Sequence, residues 1–155
     1  MKQRIIQQAA VAAALALILV GFTTTVKAHH SFAMYDQTKV VTFTGVMTQF
    51  VAQANHAELH FVPLGADGKP LRDAAGKPVQ WGVEMAGAAA VAQQGITVQS
   101  FPAGTIFSVK LNPLRDGSNF GSRVGGLVKC PAKTFPAPGK HCDSVAGSEK
   151  LGGDF

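Results

Sequence analysis

The chain has 155 residues, 46% of them hydrophobic and only 15% charged, with a formal net charge of +5. That composition excludes a disordered polyelectrolyte, and the length suits one domain with one core. No block of Lys or Arg with interleaved aromatics occurs in it, which excludes the usual footprint of a nucleic-acid binder.

Residues 1–28 read as a secretory signal peptide. Lys2 and Arg4 form a positive start, Ala9 to Phe22 is an uncharged and mainly apolar run, and Val26 and Ala28 occupy the small-residue positions before a cleavage point. A retained anchor would need about 20 apolar residues, more than this run supplies. Cleavage after Ala28 leaves 127 residues, and because Lys2, Arg4 and Lys27 depart with the signal the formal charge falls from +5 to +2. The expectation is a periplasmic or secreted protein that begins at His29-His30 and has no stable membrane span.

Beyond the new terminus, Ser31 to Gln37 has no clear period and reads as an extended arm. Thr38 to Phe50 alternates as a first strand, with Val41, Phe43 and Met47 on one side and Thr42, Thr44 and Thr48 on the other. Gly45 interrupts it, as a glycine does where a barrel strand bulges or bends. His56 to Leu64 is the second strand. Ala57, Leu59 and Phe61 share its apolar face; His56, Glu58 and His60 share the other.

Gly65 to Pro78 holds two turn signals, Asp67-Gly68-Lys69-Pro70 and Ala75-Gly76-Lys77-Pro78, and reads as a long hairpin loop. Val79 to Met85 is the third strand, with Val79, Trp81, Val83 and Met85 inward and Gln80 and Glu84 outward. Ala88 to Gln94 favours helix, and Gly95 stops it. Thr105 to Leu111 is the fourth strand, with Phe107, Val109 and Leu111 inward. After the turn Asp116-Gly117-Ser118-Asn119, a glycine-rich fifth strand runs from Phe120 to Val128.

Three strands, a short helix and two strands make the element order of a five-stranded OB-like β-barrel, expected over residues 29–128. Residues 129–155 read as a C-terminal extension with little periodicity and a loose end from Ala146 to Phe155. Cys130 and Cys142 fit a disulfide in an exported protein, across a proline-rich loop. A metal or redox site using His141-Cys142 is the alternative, without a Cys-x-x-Cys pair to support it.

Several of these pieces occur together in one family. Ala28-His29-His30-Ser31-Phe32, Gly45, His56-Ala57, Trp81-Gly82-Val83-Glu84-Met85, Gly95, Phe101-Pro102-Ala103-Gly104 and Pro113-Leu114-Arg115-Asp116-Gly117-Ser118 give the chain its likeness. It resembles the bacterial exported proteins grouped as domain of unknown function 6152, over about residues 28 to 128. Two departures stand out. Ala54-Asn55 replaces the Asn-Pro that precedes the family's histidine, and Ile96 replaces its tryptophan after the helix-ending glycine. The resemblance implies export and a single domain. It singles out His29, His30, His56 and Glu84 as motif positions and brings no catalytic residues.

The strongest chemical constellation is His29 with His30. A terminal histidine offers its amine, its imidazole and the following amide close together, donors that suit Cu(II) in a tetragonal nitrogen site, and His56 is the first choice to complete it. Residues four apart on a flat strand lie roughly 13 Å apart, so His56 and His60 would not share an ion. His56 with Glu58, or Glu58 with His60, would. Glu84 is expected either at the helix start as a charge partner or in a pocket with His56. Glu84, Glu58 and His60 are therefore the expected supporting residues.

No nucleophile elbow or phosphate-cradling glycine loop is present. The reading is a non-enzymatic periplasmic binding module, with copper as the candidate cofactor. The alternatives are a metal-free envelope protein-interaction adaptor and a metal-dependent oxidoreductase; the partner is an unidentified small ligand or envelope protein.

Overall fold

The computed structural model describes residues 32–155. The expected signal peptide, its cleavage point after Ala28, and His29 and His30 lie outside the described residues. Among the described residues no helix is long and apolar enough to cross a membrane.

Alternation governs the strands as the side-chain period of two requires. Strand β1 runs Val41–Ala52, β2 Ala57–Pro63, β3 Trp81–Glu84, β4 Ile106–Pro113 and β5 Phe120–Lys129; among the described residues a single α-helix, α1, spans Ala88–Ala92 between β3 and β4. Ala57, Leu59 and Phe61 of β2, Val83 of β3, and Phe107, Val109 and Leu111 of β4 are fully buried in one core with Met47 and Leu127. Val91 from α1 and Ile96 just after it are buried in the same core. Ile96, which stands where the family has tryptophan, thus takes a core position.

The hydrogen-bonded order is β3-β2-β1-β4-β5, and a parallel pairing of β3 with β5 joins the two ends. The protein is a closed five-stranded OB-like barrel with one short helix. Closure leaves no long open edge in the barrel itself. Strand β1 serves both halves: Val41 to Val46 pair with β4, and Gly45 to Ala52 pair with β2. At the overlap a Cβ on Gly45 would lie 2.5 Å from the Phe61 ring and 2.8 Å from the Val62 carbonyl oxygen. The bulge itself comes later in the strand, between Met47 and Gln49.

Three expectations are corrected. The third strand begins at Trp81, not Val79, because Val79 donates its N–H to Leu71 in the preceding loop. That loop is ordered by its own turns: Asp67 accepts from Lys69 N–H and Asp73 from Ala75 and Lys77 N–H. The helix closes at Ala92, two residues early, and Gly95 follows with φ +79°.

The third correction concerns the end of the chain. A sixth strand, β6, spans Glu149–Leu151 and pairs antiparallel with Leu127 to Lys129 of β5. A loose end was expected from the absence of a pattern, but a three-residue strand is too short to show one. Its anchor lies in β5, where Gly125 (φ +67°) and Gly126 widen the strand and let the tail backbone close in; Gly126 N–H donates to the Asp154 carbonyl at 2.6 Å.

The Cys130–Cys142 disulfide forms, as expected, and both residues are buried with Ile106 and Val128 in a second, smaller cluster under the extension. Thr44 was expected on the outer side of β1, yet it is buried because the extension covers it. Cysteine 142 is therefore not a metal ligand in this fold. Replacing both cysteines with alanine is expected to cost about 3 kcal/mol of unfolding free energy in a urea titration. A loss below about 1 kcal/mol would show that non-covalent contacts alone hold the extension.

Candidate site on the β2–β3 face

The outer side of β2 and β3 carries the polar set. In the β2–β3 ladder Glu58 stands opposite Glu84 and His60 opposite Gly82. In the β3–β5 ladder Gly82 stands opposite Phe120 and Glu84 opposite Ser122. Two cross-strand rows result: Glu58, Glu84, Ser122, and beside it His60, Gly82, Phe120. A Cβ on Gly82 would overlap the Phe120 ring and come within 3.4 Å of His60 Nδ1, so the glycine is what lets that ring lie across β3.

His56 immediately precedes β2 and is the diagonal neighbour of Glu84, within reach of a long side chain. The backbone fixes it there: Met85 N–H donates to Ala57 O at 2.8 Å and Ala57 N–H to Ala86 O at 3.0 Å, tying the β1–β2 turn to the end of β3. The ring reaches across the ladder, and its Nδ1 lies 3.1 Å from Glu84 Oε1. A carboxylate only accepts, so the proton is on Nδ1, and in the neutral ring the lone pair is then on Nε2. His60 pairs within its own strand, Nε2 to Glu58 Oε2 at 2.9 Å. Of the two pairings that strand spacing allowed for Glu58, the one with His60 forms and the one with His56 does not: His56 takes Glu84 from the next strand, one of the two places expected for that carboxylate.

A third group completes the cluster, one that sequence reasoning missed. Tyr35 O–H donates to Glu84 Oε2 at 3.1 Å, so the carboxylate is held at both oxygens. Tyr35 is buried and belongs to the arm ahead of β1. The arm is bound to the β4–β5 loop through a Tyr35–Leu114 bridge, Asp36 N–H to Pro113 O at 2.8 Å, Arg115 N–H to Met34 O at 3.0 Å and the Arg115 guanidinium to Ala33 O at 3.0 Å. The arm, expected to be extended, opens instead with a 3-10 turn at Phe32–Met34. Its partner in the ladder is 79 residues away, and no local pattern announces such a pairing.

Burial pushes the Tyr35 phenol well above its ordinary range, and the charge of Glu84, its hydrogen bond and the charge of Glu58 push the same way. Both carboxylates thus act at one phenol oxygen. Among the described residues no three of His, Cys, Asp and Glu are gathered so as to hold a metal ion by themselves. His56 would supply one ligand at most, with Glu84 behind it; His29 and His30 are outside the described residues.

The chain matches a family described as "Family of unknown function (DUF6152)" over residues 16–123, about two thirds of its length. It belongs to that family. The match ends inside β5, so β1 to β4, the arm, and all of His56, Glu58, His60 and Glu84 lie within it, while the disulfide loop and β6 lie beyond it. No curated protein and no solved structure matches the chain.

Tyr35 is the single tyrosine of the sequence, so tyrosinate absorbance reports it alone. In the folded protein no tyrosinate signal is expected as the pH passes 10, the ordinary phenol value. The unfolded chain ionises there and the folded one does not. Its share of stability is full below pH 10 and is lost as the pH climbs above it. Glu84→Gln should move the titration back toward the ordinary value; an unchanged curve would contradict the assignment.

Proposed function

We propose that the protein is an exported, non-enzymatic binding module that takes a divalent copper ion at its mature N-terminus. The amine and imidazole of His29, exposed by cleavage after Ala28, would supply the first nitrogens, with His30 beside them and His56 Nε2 from the barrel. Nitrogen donors in a tetragonal set favour Cu(II).

The observation that carries this reading is the His56–Glu84 contact of 3.1 Å, with Tyr35 on the other carboxylate oxygen. A carboxylate on the second ring nitrogen is the usual support of a metal-bound histidine: it sets the tautomer, holds the ring plane and raises ligand basicity. Chain length is consistent with it. His29 is six residues before Tyr35, so its amine lies within about 20 Å of chain from a residue fixed at the site.

A metal-free adaptor is the second reading, and one observation favours it. Phe32 and Met34, large apolar side chains on the arm that carries Tyr35, are 69% and 47% exposed.

Protein recovered from the periplasm should have an intact mass that starts at His29. Calorimetric titration with Cu(II) should give a micromolar or tighter Kd that one glycine added before His29 abolishes, and His56→Ala should weaken it about tenfold or more. Affinity no greater than that of a free His-His-Ser-Phe peptide would overturn the copper reading and leave the adaptor. Steady oxygen consumption with a reductant would replace it with the oxidoreductase.

A further inference from the structure

A cavity of about 140 Å³ lies between the β2–β3 loop and the disulfide loop, and it shares no residue with the cluster on β2 and β3. Thr42 and Thr44 of β1, Gly65 and Gly68 of the first loop, and Lys140 and His141 of the second are among its walls. The two loops touch: the nearest Pro138 atom is 3.6 Å from where a Cβ on Gly68 would stand.

The protons in its wall can be assigned. Thr44 and Ser108 are cross-strand partners and both are buried. Cys142 N–H donates to Ser108 Oγ at 2.8 Å; Ser108 Oγ and Thr44 Oγ1 are 2.6 Å apart; Thr44 Oγ1 and His141 Nδ1 are 2.8 Å apart. Ser108 already accepts from Cys142, and the acceptor left for its own proton among the described residues is Thr44. Thr44 must then donate to His141 Nδ1. Only this direction gives every buried hydroxyl proton an acceptor.

The imidazole of His141 is thereby neutral with its proton on Nε2. That nitrogen has no partner among the described residues and is not sealed from solvent. Lys140, next to it, has no acidic group within 4 Å among the described residues. Asp67, which is not among the cavity walls, accepts from Lys69 N–H at 3.0 Å. The walls therefore hold an imidazole with an N–H to donate and a lysine with no ion-pair partner among the described residues, and none of the lining residues is acidic.

We infer that this cavity is a binding site for a small oxyanion of the carboxylate or phosphate class, with the Lys140 ammonium and the His141 Nε2–H as its donors. The Thr44–Ser108 hydroxyl pair positions the imidazole. Charge-assisted hydrogen bonds of this kind are the strong ones in an accessible site. The inference stands apart from the copper reading, and neither depends on the other.

The test is a titration of the full mature protein followed by amide and imidazole nitrogen resonances, with inorganic phosphate in one arm and sodium acetate in the other. Sodium chloride at equal ionic strength is the reference. The His141 ring should show the Nε2–H tautomer before any anion is added. At least one anion should then give saturable shifts confined to Ala66, Gly68, Lys140 and His141, and the arm that saturates first names the class. Lys140→Ala, at an exposed position, should weaken that binding about tenfold or more. Overturning results are an Nδ1–H tautomer, no saturation beyond the chloride response in either arm, or equal affinity in the Lys140 variant.

Discussion

The pairing of β3 with β5 is the constraint on which the rest of this structure depends. β3 is only four residues long, with a long loop before it and a helix after it. Held on one side only, it would be a short and weak edge. Held on both sides, it closes the barrel, buries Val83 in the core and fixes Glu84 and Gly82 between β2 and β5. Gly82 N–H also donates to Asn119 O at 3.0 Å, so the β4–β5 turn is tied to the closure. The arm binds the same turn region, and that is how Tyr35 reaches a carboxylate 49 residues further along the chain.

Closure also sets an electrostatic problem. Glu58 and Glu84 face each other in adjacent strands, and like charges directly opposite in a ladder are unfavourable. Each carboxylate is met by a histidine of its own, and Glu84 by the Tyr35 hydroxyl as well. These groups are half-buried, so each contact is worth more than an exposed ion pair, whose median is about 0–1 kcal/mol, without approaching the strength of a dry one. A half-buried polar cluster with like charges opposed, inside the span shared with the family, is where a function is best sought.

The parts of the fold that repeat a local rule were legible in the sequence. Alternation at Ala57-Leu59-Phe61 and Phe107-Val109-Leu111 located β2 and β4 and named their buried faces, because burial of one strand face imposes a period of two. Element order then suggested a barrel, since five strands leave edges that closure removes. The Cys130–Cys142 bridge, expected from two cysteines flanking a proline-rich loop, forms. What was not legible was carried by single contacts across long separations. Tyr35 sits in an aperiodic arm, and its role appears only once β3 is in place. Thr44 looked like an outward polar residue, and is buried with its partner Ser108 because an extension without pattern folds over them. Strand β6 left one trace, the Gly125-Gly126 pair, where two glycines in a strand signal that another backbone comes close. At the site, the outward set His56, Glu58 and His60 was legible from the strand period, and Glu84 beside His56 was one of two places expected for that carboxylate; the register between strands decides for it.

The claim at the centre of this account is that the arm and the barrel form one site through the Glu84 carboxylate. A double-mutant cycle with Tyr35→Phe and Glu84→Gln, read as unfolding free energies in urea, addresses it most directly. The account predicts a coupling of about 1 kcal/mol, the worth of one hydrogen bond to a half-buried charged group. Losses that add to within about 0.3 kcal/mol would mean that the arm and the β2–β3 face are energetically separate, and the single site would be lost with them.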